Sequence, residues 1–339
     1  MGDSDGTNED APPEAGDEAG DAAGDASASV DGAPTIDVAP SIGLALGGGV
    51  ARGWAHIGVL QRLEELGVKP DIVCGTSVGA LVGGFWLAGR LNDLEDWARA
   101  LTKRRMLTYF DLMLNGGGLM GGKRLQKAMR LYLQETRIED LPKRFVAITA
   151  EMSTGHETWL MEGDLANAIE AAYALPGVFP PRNISGRWLI DGALVNPLPV
   201  SACRALGARL VIAVGLHADA FGKAAVERRE AYDQAAASVE ALESDKQLGL
   251  VQKFMLRRMF QTGGETPGLA SVLMASFNIM MDRTTRSRLA GDPPDVLILP
   301  DVGHVPLLDF DRAEESIAAG RAAIDKAVPE IEKALHRLS

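Results

Sequence analysis

The stretch Ile42-Gly-Leu-Ala-Leu-Gly-Gly-Gly49 is a short apolar run that ends in three glycines, and Ile72-Val-Cys-Gly-Thr-Ser-Val-Gly79 repeats this plan further along the chain. Between the two, apolar residues at three-residue spacing predict a helix over 51–66, and small apolar residues predict another helix over 78–88. Strand, turn and helix therefore occur twice in succession, which is typical of a parallel sheet with right-handed crossovers. The sequence predicts an α/β fold.

The rest of the chain continues this pattern. Short apolar runs predict further strands, apolar periodicity predicts helices, and turns that contain glycine or proline separate them. The predicted elements are a hairpin with strands 144–150 and 158–161, a helix over 164–175, strands at 188–190, 210–215 and 296–299, a mostly helical insertion at about 218–290, and a closing helix or helix pair over 309–335. One α/β domain over 41–339 explains these elements more simply than two domains.

The charge of the chain is concentrated at its start. The formal net charge is −12, from 34 Lys and Arg against 46 Asp and Glu, and residues 1–40 contain eleven of the acids and no basic residue. The remaining chain is therefore nearly neutral, which excludes a basic nucleic-acid-binding domain. Residues 1–40 also contain almost no large apolar side chain, so they are predicted to be a disordered acidic tail.

Cysteine usage and the start of the chain bear on where the protein resides. Cys74 and Cys203 are too few for a disulfide framework or a cysteine-rich zinc module. The first residues lack a basic segment followed by an apolar one, so no secretory signal is predicted and a cytoplasmic location is the default. Residues 72–89 carry no charge and are long enough to suggest a membrane span, but their five glycines favour a buried strand, turn and helix.

The strongest local signal is Gly75-Thr-Ser77-Val-Gly79, a G-x-S-x-G motif that follows a predicted strand and precedes a predicted helix. At such a turn a serine is held in a strained conformation with its Oγ above the sheet, and flanking glycines relieve the crowding. The helix N-terminus offers N–H groups to a developing anion. Ser77 is therefore predicted to be a nucleophile, with Gly75 and Gly79 forming its elbow. The alternative is a glycine-rich turn that only packs the helix on the strand.

The glycine-rich turn Gly47-Gly-Gly-Val-Ala-Arg-Gly53 has three interpretations. A phosphate-binding Walker A loop is excluded because Trp54 and Ala55 stand where Lys and Ser or Thr are required. A dinucleotide-binding fingerprint is disfavoured because Arg52 replaces its third glycine and no acidic residue ends the second strand. In the third interpretation the turn exposes backbone N–H groups as an oxyanion hole that faces Ser77, since neighbouring parallel strands lie about 4.8 Å apart.

A serine nucleophile needs a base, and the chain offers two kinds. Of five histidines, His304 is the best candidate for the base of a Ser–His–Asp triad. The alternative is Asp191, which follows the predicted strand 188–190 and would lie at the C-terminal end of a strand, where α/β sites gather. Direct contact with the serine and burial would raise the proton affinity of this carboxylate and remove the need for imidazole. Taken alone, Asp191-Gly192 would be a simple turn.

Three motifs in this order resemble the patatin-like phospholipase family, in particular its bacterial branch near the neuropathy target esterase catalytic domain. They are Gly47-Gly-Gly49-x-x-Arg52-Gly53, Gly75-x-Ser77-x-Gly79 and Asp191-Gly192-Ala193. The flanking sequences resemble the family as well, including Leu175-Pro-Gly-Val-Phe-Pro-Pro181 and Asp191-Gly-Ala-Leu-Val-Asn-Pro-Leu-Pro199. The likeness extends over about 41–215 and 268–325.

The resemblance implies a fold and a chemistry. The fold would be a three-layer α/β/α sandwich with a mainly parallel central sheet. Ser77 would be the nucleophile and Asp191 the base of a Ser–Asp dyad. The oxyanion hole would be formed by the turn with Gly47, Gly48, Gly49 and Gly53, and Arg52 would support the turn or the anion. The reaction would be hydrolysis of a fatty-acyl ester of a lipid through an acyl-serine intermediate, without a metal or a cofactor.

Two parts of the chain depart from the family pattern. Val50 stands where many relatives have Gly or Ala, and a β-branched residue restricts the backbone of the turn. Residues 217–261 look less like the family, and an apolar stripe with basic neighbours over 248–260 would suit transient, peripheral contact with a membrane surface. A helix packed on the domain is the simpler interpretation of that stripe. The alternative function is a membrane-associated regulatory protein of the same fold with little activity.

Overall fold

The computed structural model of the chain describes residues 41–102, 123–217 and 269–338, so the predicted acidic tail and residues 218–268 of the predicted insertion lie outside the described residues. The strands within the described residues are β1 (Ile42–Leu46), β2 (Ile72–Thr76), β3 (Arg144–Glu151), β4 (Glu157–Leu160), β5 (Arg182–Ile184), β6 (Arg187–Asp191), β7 (Leu210–Val214) and β8 (Val296–Ile298). The helices are α1 (Ala55–Glu65), α2 (Val78–Leu87), α3 (Leu91–Arg99), α4 (Lys123–Leu133), α5 (Leu165–Ala172), α6 (Val200–Ala205), α7 (Leu269–Gly291) and α8 (Ala313–Leu338). Short 3-10 helices span Val50–Trp54, Ile138–Asp140 and Gly192–Leu194.

The central sheet is parallel through most of its width and antiparallel at one side. Its strand order is β5-β6-β3-β2-β1-β7-β8, with β4 also paired to β3. The strands β3, β2, β1, β7 and β8 run parallel, whereas β4, β5 and β6 join by antiparallel pairing. Helical connections return the chain between the parallel strands, as parallel pairing requires. The predicted α/β class with a mainly parallel sheet is confirmed.

Helices cover both faces of the sheet. On one face, the helices α1 to α5 and α8 pack against alternate strand residues such as Leu44, Val73 and Ile212. On the other face, α6 and Leu289 of α7 pack against the intervening residues, among them Ala45. Burial on both faces explains why β1, β2 and β7 are nearly continuous apolar runs in the sequence. The arrangement is the predicted three-layer sandwich.

The helices α1 and α8 cross in backbone contact at two glycines. A Cβ atom on Gly58 would overlap the carbonyl oxygen of Ile317, and a Cβ atom on Gly320 would overlap that of Ala55. The two helices approach this closely only because both positions lack a side chain. Of the two alternatives for the end of the chain, the single helix is correct, since α8 is continuous and contains Pro329.

The hairpin of β5 and β6 is an element that the sequence patterns do not predict in full. Its loop, Ser185-Gly186, has φ values of 51° and 82°, as a tight two-residue hairpin turn requires. β5 has only three residues, so it is too short for its apolar periodicity to be recognised. The Ser-Gly dipeptide is the one local signal that indicates the turn.

The uncharged stretch 72–89 forms β2, the turn after it, the whole of α2 and the two residues that follow, and most of these residues are buried. It is therefore a buried strand, turn and helix, as the glycine content predicts. Across the described ranges, no helix combines the length and the apolar character needed to cross a bilayer.

Candidate active site

Ser77 lies in the turn between the end of β2 and the start of α2. Its backbone has a φ of 54° and a ψ of −124°, a strained conformation for a residue with a side chain. A Cβ atom on Gly75 would lie 2.5 Å from the backbone of Ala80, and a Cβ atom on Gly79 would overlap the carbonyl oxygen of Leu46. Both positions therefore need glycine, because of the crowding that is typical of this turn.

Ser77 and Asp191 are in direct contact. The Ser77 hydroxyl donates a hydrogen bond to Oδ2 of Asp191 over 2.7 Å. The amide of Ala193 donates to Oδ1 of the same carboxylate over 2.8 Å. Ser77 is 6% exposed and Asp191 is 1% exposed. The pair therefore lies in surroundings with little water, and the serine hydroxyl is directed toward the carboxylate.

Strand register brings the two residues together. On one edge of β3, Ile148 pairs with Thr76, the last residue of β2, and Thr149 pairs with Asp191, the last residue of β6. The opposite edge of β3 is occupied by β4. The strands β2 and β6 therefore approach each other head-on along the same edge of β3. Ser77 is the residue after Thr76 and therefore lies where the ends of β2 and β6 meet.

Asp191 is the last residue of β6 and so lies at the C-terminal end of a strand, as predicted. β6 runs antiparallel to β3, however, so the rule for open parallel sheets does not explain why Asp191 lies beside Ser77. Asp191 lies beside Ser77 because β6 ends where β2 ends, one residue further along β3. The position of Asp191 beside Ser77 thus results from the register of β2 and β6 on β3.

Burial changes the acidity of Asp191. Desolvation raises the pKa of its carboxyl group from 3.8 to about 7, and the hydrogen bonds from Ala193 and Ser77 oppose this effect. A carboxyl group with such a pKa can take up and release a proton near neutral pH. The environment therefore gives this carboxylate a proton affinity close to that of an ordinary imidazole.

The glycine-rich turn lies against the serine. A Cβ atom on Gly48 would be 3.3 Å from the Cβ atoms of both Ser77 and Ala193. A Cβ atom on Gly53 would overlap the side chain of Val78, the first residue of α2. Glycine at these two positions thus allows the turn to pack directly on the residues around Ser77.

Only some backbone amides of this turn are available to a ligand. The amide of Gly47 donates to the last residue of β7 over 3.0 Å, and that of Gly48 donates to the carbonyl oxygen of Pro197 over 2.9 Å. Within the described part of the chain, the amides of Gly49 and Val50 have no acceptor. Of the residues predicted for the oxyanion hole, Gly47 and Gly48 thus have amides that are already hydrogen-bonded within the protein, whereas the amide of Gly49 is not.

Val50 has a strained backbone. Its φ is 53°, a value that β-branched residues rarely adopt. Strained residues persist where the surrounding structure holds them, and they are frequent at functional sites. The next residue, Ala51, anchors the turn by donating from its amide to the carbonyl oxygen of Leu307 over 3.1 Å. The backbone restriction predicted at Val50 is thus observed as a left-handed conformation of this residue, whose amide is one of the two without an acceptor in the described part of the chain.

Two buried polar side chains hold the turn in place. Arg52 donates from Nε to the carbonyl oxygen of Val305 and from Nη2 to that of Gly303, at 2.8 and 2.7 Å. His56 donates from Nε2 to the carbonyl oxygen of Gly47 over 2.8 Å. Burial lowers the pKa of His56 to about 4, so its imidazole is neutral at neutral pH. Of the two roles considered for Arg52, these contacts favour support of the turn.

His304 is bound to a carboxylate outside this site. Its Nε2 lies 2.5 Å from Oε1 of Glu315, whereas the hydroxyl of Ser77 is directed to Asp191. The triad alternative therefore lacks the contact that it needs. Asp191 is the group in position to accept a proton from the serine.

Comparison with known proteins decides the family. The model of the patatin-like phospholipase family matches residues 44–204, a range that includes Ser77 and Asp191. The chain is 33% identical over 330 residues to an uncharacterized NTE family protein of Mycobacterium tuberculosis, a match that covers 85% of this chain and 91% of the relative. The chain belongs to the patatin-like phospholipase family. Membership implies a lipid acyl hydrolase.

Two further proteins are similar to this patatin-like chain. Patatin-like phospholipase domain-containing protein 6 of Homo sapiens is 33% identical over 176 residues, which is 50% of this chain and 13% of that protein. Among solved structures, VipD from Legionella pneumophila matches with 14% identity and a TM-score of 0.45. The match covers 87% of this chain and 67% of the VipD chain.

A hydrogen-bonded network that the sequence analysis misses supports the patatin-like site. Thr76, the residue before Ser77, donates from its hydroxyl to the carbonyl oxygen of Asn196 over 2.8 Å. Nδ2 of Asn196 donates to Glu157 of β4 over 2.9 Å, and Arg288 of α7 donates to the same carboxylate over 3.2 Å. The members come from four separate segments, so no local pattern could have indicated the network.

His217 is a further buried residue that no sequence pattern indicates. It is buried, and desolvation together with the charge of Arg52 lowers the pKa of its imidazole to about 3. With Gly47, Gly48 and Thr285 it lines a cavity with about 10 Å³ of room, close to the space that one water molecule needs. Because its imidazole is neutral at neutral pH, His217 adds no positive charge beside Arg52.

The described residues contain no group of three or more His, Cys, Asp or Glu side chains that could hold a metal ion. Cys74 and Cys203 are free thiols, and both are buried.

Proposed function

We propose that this chain is a serine acyl hydrolase that cleaves fatty-acyl esters of lipids, phospholipids included, through an acyl-Ser77 intermediate. The observation that carries the proposal is the 2.7 Å hydrogen bond from Ser77 to Asp191, whose carboxyl group has a pKa of about 7. Membership of the patatin-like family supports a lipid ester as the substrate class. Imidazole is not required, because Asp191 accepts the proton directly.

In the first half-reaction, Oγ of Ser77 attacks the ester carbonyl carbon while its proton passes to Oδ2 of Asp191. The charge that develops on the carbonyl oxygen is stabilised by backbone amides. The proposed donors are Gly49 and Val50, together with Val78 at the N-terminus of α2, which has no side-chain cap. The ester C–O bond then breaks, and the leaving alcohol takes the proton from Asp191.

In the second half-reaction, a water molecule attacks the carbonyl carbon of the acyl-Ser77 ester and gives its proton to Asp191. The bond between the acyl carbon and Oγ of Ser77 then breaks, and Oγ recovers the proton from Asp191. A fatty acid is released and the enzyme returns to its starting state. The same carboxylate acts as base and then as acid in each half-reaction.

Product analysis tests the proposal. The purified protein, incubated with a panel of phospholipids and lysophospholipids, should release free fatty acids, and an alkyl fluorophosphonate should label Ser77. The Ser77→Ala variant should do neither. Equal release of fatty acid by both proteins would contradict the proposal. Binding to liposomes without hydrolysis of any lipid would favour the regulatory alternative.

Activity should depend on the ionisation of Asp191. Only the carboxylate form accepts a proton, and protonation near its pKa of about 7 removes that form as the pH falls. We therefore expect kcat/KM for a p-nitrophenyl ester to fall about tenfold for each pH unit below 7 and to level off above it. A flat profile between about pH 5 and 8, with circular dichroism showing folded protein throughout, would contradict this assignment.

A further inference from the structure

A third apolar cluster, which we call the α7 cluster, lies apart from the two clusters that pack the sheet. Its buried members are Leu175, Ala193, Phe277 and Met281, and the partly buried residues packed against them are Val50, Val178, Leu194 and Met280. These residues come from the glycine-rich turn, from segments next to the β5–β6 hairpin and from α7. The cluster is therefore built from two short 3-10 helices, the segment before β5 and the helix α7, without a strand.

The α7 cluster begins at the serine. The Cβ atoms of Ala193 and Ser77 would each lie 3.3 Å from a Cβ atom on Gly48, so both border the same residue. The amide of Ala193 also binds the carboxylate of Asp191. Val50 belongs to the turn that carries the available amides. An acyl group attached to Oγ of Ser77 therefore has the α7 cluster as its apolar neighbour.

The composition of the α7 cluster suits an alkyl chain. Its members have aliphatic, aromatic or thioether side chains, and none carries a charge. Burial of methylene groups among such side chains is favourable. Met280 and Met281 have flexible, unbranched side chains that adapt to irregular apolar partners. Half of the members are only partly buried, so they retain surface against which a chain can pack.

We propose that the α7 cluster is the acyl-chain site, with Phe277, Met280 and Met281 of α7 as the residues that determine chain-length specificity. The acyl chain would run from Ser77 past Ala193 toward α7. This inference rests on the proposed function, because it locates the substrate of that reaction. α7 lies outside the range 44–204 that the family model matches. The chain-length preference would therefore depend on an element outside the family motifs.

Substitutions at Met280 test the proposal, with a matched control on the same helix. Met280→Trp adds bulk to the cluster, whereas Ile279→Trp adds similar bulk at a neighbouring position that is 55% exposed. With p-nitrophenyl esters from acetate to palmitate, we expect Met280→Trp to lower kcat/KM for the long chains by about tenfold or more. Its kcat/KM for acetate should change by less than about twofold. Ile279→Trp should follow the wild type on every ester.

Met280→Ala keeps the test decisive if the Trp variant fails to fold, as its melting curve would show. Removal of the side chain enlarges the site, so this variant should shift the preference toward longer chains. Identical chain-length profiles for the wild type and the Met280 variants, with acetate hydrolysis retained and dependent on Ser77, would overturn the inference and leave the proposed function intact. A wild type without Ser77-dependent turnover of any ester would overturn both.

Discussion

Ser77→Ala and Asp191→Asn should each lower kcat for a p-nitrophenyl acyl ester by about a thousandfold or more. Ser77→Ala removes the nucleophile. Asp191→Asn keeps the size of the side chain and one acceptor oxygen, but an amide does not take up a proton at neutral pH. Because both residues act in the same proton transfer, the double variant should be no slower than the slower of the two single variants.

His304→Ala is the control for this experiment. Its imidazole is bound to Glu315, so we expect kcat to stay within about twofold of the wild type. Asp191→Asn should remain folded, because it replaces a buried ionisable group by a neutral one that still accepts a hydrogen bond. An active Asp191→Asn variant beside an inactive His304→Ala variant would restore the triad and exclude the dyad.

Gly58→Ala should lower the free energy of unfolding by about 3 kcal/mol or more. Helix propensity alone predicts the opposite sign, because alanine is favoured over glycine in a helix by about 1 kcal/mol. The tertiary contact decides the outcome. The new Cβ atom would overlap the carbonyl oxygen of Ile317 and lie 3.0 Å from the amide nitrogen of Arg321. Backbone atoms cannot rotate aside, so α8 would have to move away from α1 and lose packing in the main core.

Urea unfolding measures this effect, and the chain offers matched substitutions. Gly320→Ala, on the other helix of the same crossing, should destabilise to a similar degree, since its Cβ atom would overlap the carbonyl oxygen of Ala55. Gly291→Ala, at the end of α7, should change stability little, because no described atom beyond its own turn of the helix lies within 4 Å of its new Cβ. A Gly58→Ala protein that unfolds at the urea concentration of the wild type would show that α1 and α8 do not pack this closely in solution.

The periodicity of the sequence is a sufficient guide to most of the strands and to the helices α1, α2, α5 and α8, whereas α3, α4 and α6 are not among the predicted elements. The apolar runs before Gly47 and Gly75 are β1 and β2, and the helices after them are α1 and α2. These predictions hold because the spacing of apolar side chains within one element is a local property of the chain. The hairpin of β5 and β6 shows the limit, since three residues are too few to display a period.

The residues of the candidate site likewise differ in whether the sequence alone could indicate them. Ser77 could be selected from its own neighbours, because glycines two residues away on either side are what the strained turn requires. Asp191 could be selected as well, because it follows an apolar strand, but the antiparallel direction of that strand could not be read from the sequence. The role of backbone amides in the glycine-rich turn could not be assigned to individual residues, because their acceptors lie on β7 and at Pro197, far away in the sequence.

By itself, then, the sequence determined the α/β plan, the strained turn at Ser77 and the glycines that make it possible, all of which depend on residues close together along the chain. Only the tertiary structure decided that Ser77 meets Asp191 head-on, that the carboxyl pKa rises to about 7 and that the amides of Gly49 and Val50 remain available. Strand register and desolvation arise from the packing of segments that are distant in sequence, and they leave no local pattern to read.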